Sequence, residues 1–279
     1  MATILSGKEL SARITENLTD EIKNFNKKPS LAVILVGNDP ASELYVGMKQ
    51  KKSAKLGINS SIIKFDENTD EKTLLAKIQE LNLDNSVDAI LVQLPLPKQI
   101  NKKKVFETIL PTKDVDGFTP ENVGRLTLGL SPYAIACTPK GILTMLNNYN
   151  IKIDGKNVVI IGRSDIVGKP MAQLMLNENA TVTVCHSHTK NLPQLTKNAD
   201  ILISAVGKPK MVTKDMIKEN AVVIDVGVSK IDGKIVGDVD FEAVSAVASY
   251  ITPCVGGVGP MTIASLMQNT FELFKLHSN

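Results

Sequence analysis

The stretch Asn157-Val158-Val159-Ile160-Ile161-Gly162-Arg163-Ser164-Asp165-Ile166-Val167-Gly168-Lys169-Pro170 decides the fold. An apolar, β-branched run enters a glycine-bearing turn, and a helical pattern then begins at Lys169-Pro170. A second strand pattern, over 181–185, ends in His186-Ser187. This layout opens a dinucleotide-binding half, in which pyrophosphate approaches backbone N–H groups at the positive end of a helix. The turn departs from GxGxxG because Ser164 replaces the second glycine, so the spacing alone is weak evidence. The end of the second strand is a stronger signal. About 20 residues beyond the turn, where an NAD site carries a carboxylate for the ribose 2′-hydroxyl, this chain has His186 and Ser187. With Arg163 in the turn, the site suits a 2′-phosphate, and the cofactor expected is NADP.

At 279 residues the chain is long enough for about two domains. Lys and Arg total 32 against 29 Asp and Glu, a net of +3, which is too small for a nucleic-acid binder. Met1-Ala2-Thr3-Ile4-Leu5-Ser6-Gly7 lacks a basic segment followed by an apolar one, and no apolar run is long enough to span a bilayer. A cytoplasmic protein without membrane association is expected. Cys137, Cys185 and Cys254 are widely spaced and form no CxxC pair, so neither a disulfide framework nor a zinc site is expected.

Strand and helix patterns alternate from end to end, which predicts α/β layers built on parallel sheets. In the first half the patterning predicts helices over 7–25, 42–56, 71–81 and 102–109, with strands over 31–36, 61–65 and 89–93. In the second half it predicts strands over 157–161, 181–185, 201–205 and 222–226, with helical stretches over 140–149, 167–177 and 214–219. The boundary is placed near Thr138-Pro139. Residues 1–139 are expected to form an N-terminal α/β catalytic domain, completed by the C-terminal helix 260–279, and 140–259 a Rossmann-like NADP-binding domain. A cleft between them is the default ligand site.

Several constellations carry chemistry. Tyr45 and Lys49, spaced i, i+4, share one helix face. On periodicity alone, however, Lys49 is better read as part of the basic solvent face with Lys51, Lys52 and Lys55. Val92-Gln93-Leu94-Pro95-Leu96-Pro97 ends a buried strand in a rigid turn at its carboxyl end, where α/β ligand sites form. Gln93 either caps the strand or orients a neighbouring amine. In Lys113-Asp114-Val115-Asp116-Gly117 two carboxylates bracket an apolar residue. Hydrogen bonding to an organic ligand suits them better than metal binding, and a plain Asx-turn is the alternative for Asp116. Three glycines in the Val255-Gly256-Gly257-Val258-Gly259 turn require special dihedrals or close backbone approach, read here as approach to a ligand. Asp225-Val226-Gly227-Val228-Ser229 closes the last strand, either as backbone for the nicotinamide end or as an ordinary exit. His186 and His188 are disfavoured as a metal pair, because alternate residues leaving a strand point to opposite faces.

Together, Tyr45-Val46-Gly47-Met48-Lys49, Val92-Gln93-Leu94-Pro95-Leu96-Pro97, Asp114-Val115-Asp116-Gly117, Cys137-Thr138-Pro139-Lys140-Gly141, Gly162-Arg163-Ser164 and Gly256-Gly257-Val258-Gly259-Pro260-Met261-Thr262 resemble one family. It is the bifunctional methylenetetrahydrofolate dehydrogenase/methenyltetrahydrofolate cyclohydrolase family. The resemblance covers almost the whole chain in order, and it reverses the reading of Lys49.

The resemblance implies oxidation of 5,10-methylenetetrahydrofolate with NADP and hydrolysis of the methenyl product to 10-formyltetrahydrofolate. It makes Lys49 the group that moves protons in hydrolysis and Gln93 the residue that positions it. Tyr45 becomes the aromatic that stacks on folate, and Asp116 the carboxylate that anchors the pterin. Val92, Leu94 and Val255 to Gly259 become further substrate contacts. Gly162, Arg163, Ser164, His186, Ser187 and Val228 become cofactor contacts. A homodimer is implied as well. The chain departs from the family pattern at Val255, usually Pro, at Val228-Ser229, usually Ile-Asn, and at His188, often Lys or Arg. A dehydrogenase-only folate enzyme and a non-catalytic nucleotide-binding module stand as alternatives.

Overall fold

The structure, a computed structural model, describes residues 1–278. It divides into two compact units. One comprises Met1–Ala12 with Thr138–Thr262, the other Arg13–Cys137 with the chain from Ile263 onward. The chain opens with β1 (Thr3–Ile4) and α1 (Gly7–Lys23).

The second of these units is built on β2 (Ser30–Val36), with α2 (Pro40–Leu56), β3 (Asn59–Phe65), α3 (Glu71–Leu83), β4 (Ala89–Val92), α4 (Lys102–Thr108) and α5 (Pro120–Thr127) after it in the chain. β2 is the centre of a three-stranded sheet, order β3-β2-β4, parallel throughout. Its sequence is apolar on both faces because both are covered, and the period of two sorts its side chains. Leu31, Val33 and Leu35 pack with α1, α2 and the last helix through Ile22, Val46, Leu56 and Phe274. Ala32, Ile34 and Val36 pack with α3 and α4 through Leu74, Ile78 and Val105. α2 is sharply bounded. Asp39 accepts from Ser42 N–H at 2.8 Å at its start, and Gly57 at φ +77° ends it.

The other unit continues with α6 (Cys137–Asn148), whose first residue still belongs to the three-stranded unit, then β5 (Asn157–Ile161), α7 (Gly168–Asn177), β6 (Thr181–Cys185), α8 (Leu192–Thr196), β7 (Ile201–Ser204) and β8 (Val222–Asp225). A hairpin of β9 (Ser229–Ile231) and β10 (Lys234–Val236) comes next, then α9 (Phe241–Ser245), β11 (Tyr250–Ile251) and α10 (Val258–Ser278). Six strands form a sheet of order β1-β11-β8-β7-β5-β6, and every pairing is parallel.

Three expectations change. The first twelve residues, assigned by sequence to the N-terminal domain, lie in the six-stranded unit, because Thr3 and Leu5 N–H donate to Ser249 and Ile251 at 2.8 and 2.9 Å. The helix expected over 214–219 is a single 3-10 turn, Lys214–Met216, and Asn220 at φ +61° turns the chain away shortly after it. α5, α8, α9 and the β9–β10 hairpin add to the expected elements. The closing helix does pack on the three-stranded unit, where Phe25 meets Phe271 and Phe274 edge-on at 5.5 and 5.3 Å. Phe274 is fully buried there. Phe274→Ala should therefore cost about 3–5 kcal/mol. Urea unfolding checks it, and a loss below about 1 kcal/mol would show that the helix is not held by this cluster.

Candidate active site

The three-stranded unit brings together three of the expected residues. On α2 the buried residues Val46, Ser53 and Leu56 mark the inward stripe. Lys49 falls three after the first and four before the second, so it shares that stripe and is half-buried, whereas Lys51 and Lys55 are exposed. Lys49 Nζ donates to Gln93 Oε1 at 2.9 Å. Gln93 comes directly after β4, where its N–H still donates to Ile34 at 2.9 Å, and its Nε2 donates to the Leu94 carbonyl at 2.7 Å. A carbonyl only accepts and an ammonium only donates, so the two partners fix which way the amide faces. Tyr45 lies one turn before Lys49 with 46% of its surface open. Val92 and Leu94 turn their side chains into the core against α3 and α4.

The two carboxylates of the next loop divide the work. Asp114 is buried and accepts from Gly117 N–H at 2.9 Å, Thr119 N–H at 2.8 Å and Asn122 Nδ2 at 2.9 Å. The Asx-turn thus belongs to Asp114, not to Asp116. Gly117, at φ +69°, presses against the backbone at 134–136, which a Cβ would strike. Asp116 is left with a weak contact from Cys137 Sγ at 3.7 Å. Burial pushes its carboxyl up to about 6. The Lys49 ammonium opposes that rise and the Asp114 charge adds to it. Two residues that sequence reading missed brace this loop. Asn122 holds Asp114, and Asn269 Nδ2 donates to the Val115 and Ile135 carbonyls, each at 2.8 Å.

In the six-stranded unit the expected nucleotide turn lies between β5 and α7. Gly162 has φ +121°, and a Cβ there would meet the Ala205 carbonyl. Ser164 explains its departure from glycine, because its Oγ accepts from Val167 and Gly168 N–H at 3.2 and 3.3 Å and so braces the turn that leads into α7. The N–H groups of Arg163 and Ser164 find no acceptor among the described residues. Arg163 is exposed. Desolvation, and after it the Arg163 charge, lowers the pKa of His186. Ser187 and Val228 are exposed.

The opposite-faces argument for His186 and His188 does not hold. β6 ends at Cys185, the next residues turn, and the two rings lie 5.9 Å apart. His186 Nδ1 accepts from His188 N–H at 3.2 Å, which occupies one ligating nitrogen. Among the described residues no group of three or more His, Cys, Asp or Glu is arranged to hold a metal ion. In the 255–259 turn, Gly256 has φ +83°. A Cβ at Gly257 would strike the Pro253 carbonyl, so the close approach at that glycine is to the protein's own backbone. Gly259 opens on free space in the first turn of α10. A cavity of about 310 Å³, bordered by Lys156, Asp200, Lys218 and Tyr250, contains none of the expected site residues.

Comparisons with known proteins agree over the whole chain. A family model described as tetrahydrofolate dehydrogenase/cyclohydrolase, catalytic domain, matches residues 5–116. Its companion, the NAD(P)-binding domain, matches 136–278. A "Bifunctional protein FolD" of Francisella philomiragia is 55% identical over 97% of this chain and 97% of its own. The crystal structure of the bifunctional FolD methylenetetrahydrofolate dehydrogenase/cyclohydrolase of Campylobacter jejuni is 50% identical, covers 99% of each chain and superposes with a TM-score of 0.97. A Trypanosoma brucei FolD structure, complexed with NADP cofactor and inhibitor, is 36% identical over 100% of this chain and 99% of that one, with a TM-score of 0.95.

The Asp116 carboxyl has a testable pH signature. In the window between its ordinary 3.8 and about 6 the folded chain keeps a proton that the unfolded chain releases, so this group's contribution to stability is lost as pH rises through that window. Its carboxyl carbon should titrate by NMR with a midpoint of about 6, moving higher in Lys49→Met because the opposing ammonium is gone. A midpoint at the ordinary value, or no response to Lys49→Met, would contradict the site geometry.

Proposed function

The chain belongs to the tetrahydrofolate dehydrogenase/cyclohydrolase family, and we propose that Lys49, Gln93 and Asp116 are the catalytic residues of its folate site. It is a bifunctional enzyme. It oxidises 5,10-methylenetetrahydrofolate to 5,10-methenyltetrahydrofolate with NADP and hydrolyses that product to 10-formyltetrahydrofolate. The observation that carries the site assignment is the 2.9 Å bond from Lys49 to a Gln93 amide whose other end is already tied down.

That bond gives each residue a role. Lys49 is held at one point by an uncharged acceptor, so nothing in the bond locks its proton in place as a carboxylate partner would. A cationic methenyl ring brought near Nζ disfavours the ammonium, and the neutral amine then takes a proton from the attacking water. Gln93 keeps Nζ in position through that exchange. Asp116, half-buried with its carboxyl raised to about 6, is able to bind the N–H edge of a pterin, and such donors stabilise its ionised form. Tyr45 offers an open aromatic face for stacking. Val92 and Leu94 contribute backbone.

NADP, when bound, accepts the hydride of the first reaction. The residues fit it. Gly162 leaves no room for a side chain, Arg163 and Ser164 present free N–H groups, and the end of β6 carries no carboxylate to repel a 2′-phosphate. Arg163 is assigned to that phosphate, with His186, Ser187 and the Val228 backbone alongside. We assign folate to the unit of Arg13–Cys137 with the closing helix, and NADP to the unit of Thr138–Thr262. A homodimer acting in the cytoplasm completes the reading, supported by the family resemblance.

One coupled assay tests it, following NADPH and methenyltetrahydrofolate absorbance together with NADP and then with NAD. The unsubstituted chain should form NADPH without accumulating the methenyl compound. Lys49→Ala should slow hydrolysis by about 10²–10⁴-fold while NADPH binding survives. Undiminished hydrolysis in that variant would remove Lys49 from the mechanism.

A further inference from the structure

Two buried carboxylates in the six-stranded unit take no part in the folate chemistry. Asp238 is fully buried and Asp225 is 5% exposed. Asp238 Oδ2 accepts from Ser204 Oγ at 2.9 Å and Val206 N–H at 2.8 Å, and Oδ1 accepts from Lys208 N–H at 2.8 Å. Asp225 accepts in turn from Asp238 and Val239 N–H at 2.9 and 3.2 Å, and its own N–H donates to Thr252 Oγ1 at 2.7 Å. The backbone clears space for both acids. A Cβ at Gly227 would strike the Asp238 carboxylate, and one at Gly237 would strike that of Asp225.

The acids tie 204–208 to 238–239, with Gly227 packed against the Asp238 carboxylate, and the loops involved leave the carboxyl ends of parallel strands. Residues 205–208 come after β7, and 226–228 come after β8. Ser229 Oγ, on the first residue of β9 just past 226–228, donates a 3.0 Å bond to the Gly207 carbonyl and ties the end of the second loop to the first. Ligands of open α/β sheets bind at this end. Burying charge is expensive, and burial pushes the Asp225 carboxyl up to about 7. Apolar residues would fill the same space at less cost, but they offer nothing to the N–H groups of Val206 and Lys208, which no regular ladder holds.

We propose that Asp238, backed by Asp225, is a positioning residue for the nicotinamide half of the dinucleotide, holding loops 205–208 and 226–228 in the shape that receives it. The proposal rests on the assignment of NADP to this unit. It separates the two activities, since hydrolysis of the methenyl compound needs no dinucleotide.

The test is Asp238→Asn, which keeps the shape but replaces one acceptor oxygen with a donor, so that at least one of three bonds is lost. Three readouts are taken: hydrogen exchange at the Val206 and Lys208 amides without NADP, NADPH affinity by fluorescence titration, and the two activities separately. Faster exchange, NADPH affinity weakened about tenfold to a hundredfold and unchanged hydrolysis are expected. Unchanged NADPH affinity, or hydrolysis falling in step with oxidation, would overturn the proposal. Should the variant fail to fold, Ser204→Ala removes one donor to the same carboxylate. A several-fold loss of NADPH affinity with hydrolysis intact supports the proposal, and no loss overturns it. Failure of the unsubstituted chain to bind NADPH would instead overturn the cofactor assignment, and the proposal with it.

Discussion

The hydrogen bond from Lys49 Nζ to Gln93 Oε1 is the constraint on which the proposed folate site depends. It requires one helix stripe and one strand end to meet in a fixed register. The stripe is set by Val46, Ser53 and Leu56, which face the core and carry Lys49 inward with them. The strand end is set by β4, which pairs with β2 from Ala89 to Val92, and Gln93 N–H extends that ladder by one bond. β2 supplies apolar side chains to both covered faces, so a one-residue slip of its partner would exchange those faces and lose the bond. The amine's geometry is therefore a consequence of core packing in the three-stranded unit.

Carboxylates play two opposite parts in the molecule. Asp114, Asp225 and Asp238 are spent on backbone N–H groups and organise loops. Among the described residues Asp116 has no backbone donor on its carboxyl; burial raises it to about 6, and the Lys49 charge opposes that rise. A carboxylate with its oxygens occupied is a structural clamp, and one left open beside a half-buried amine is available for chemistry. Asp114 and Asp116 are two residues apart and would be interchangeable by composition. Gly117 at φ +69° and Asn122 make the difference, since they close the turn around the first and leave the second outside it.

Much of this is legible in the sequence, and the rest is hidden for physical reasons. The buried strands read clearly because parallel strands covered on both faces are continuous apolar runs. β1 and β11 have two residues each and no period to detect, so the attachment of the first twelve residues is invisible in the pattern. The β9–β10 hairpin does carry a signal that a search for long apolar strands passes over, since Asp232-Gly233, with φ of +48° and +78°, is a strong two-residue turn. Lys49 reads as part of a solvent face only while its lysine neighbours are counted and the inward spacing from Val46 to Ser53 and Leu56 is not. Asp238 carries no motif. Its role arises from donors that lie 30 to 34 residues away and meet only in the folded sheet.

In the proposed mechanism Gln93 acts through Lys49 and has no separate role in hydrolysis. A double-mutant cycle on methenyltetrahydrofolate hydrolysis, with Gln93→Ala and Lys49→Ala singly and together, tests it most directly. Gln93→Ala should slow the reaction when Lys49 is present and have no further effect once Lys49 is gone. Fully additive losses would contradict it.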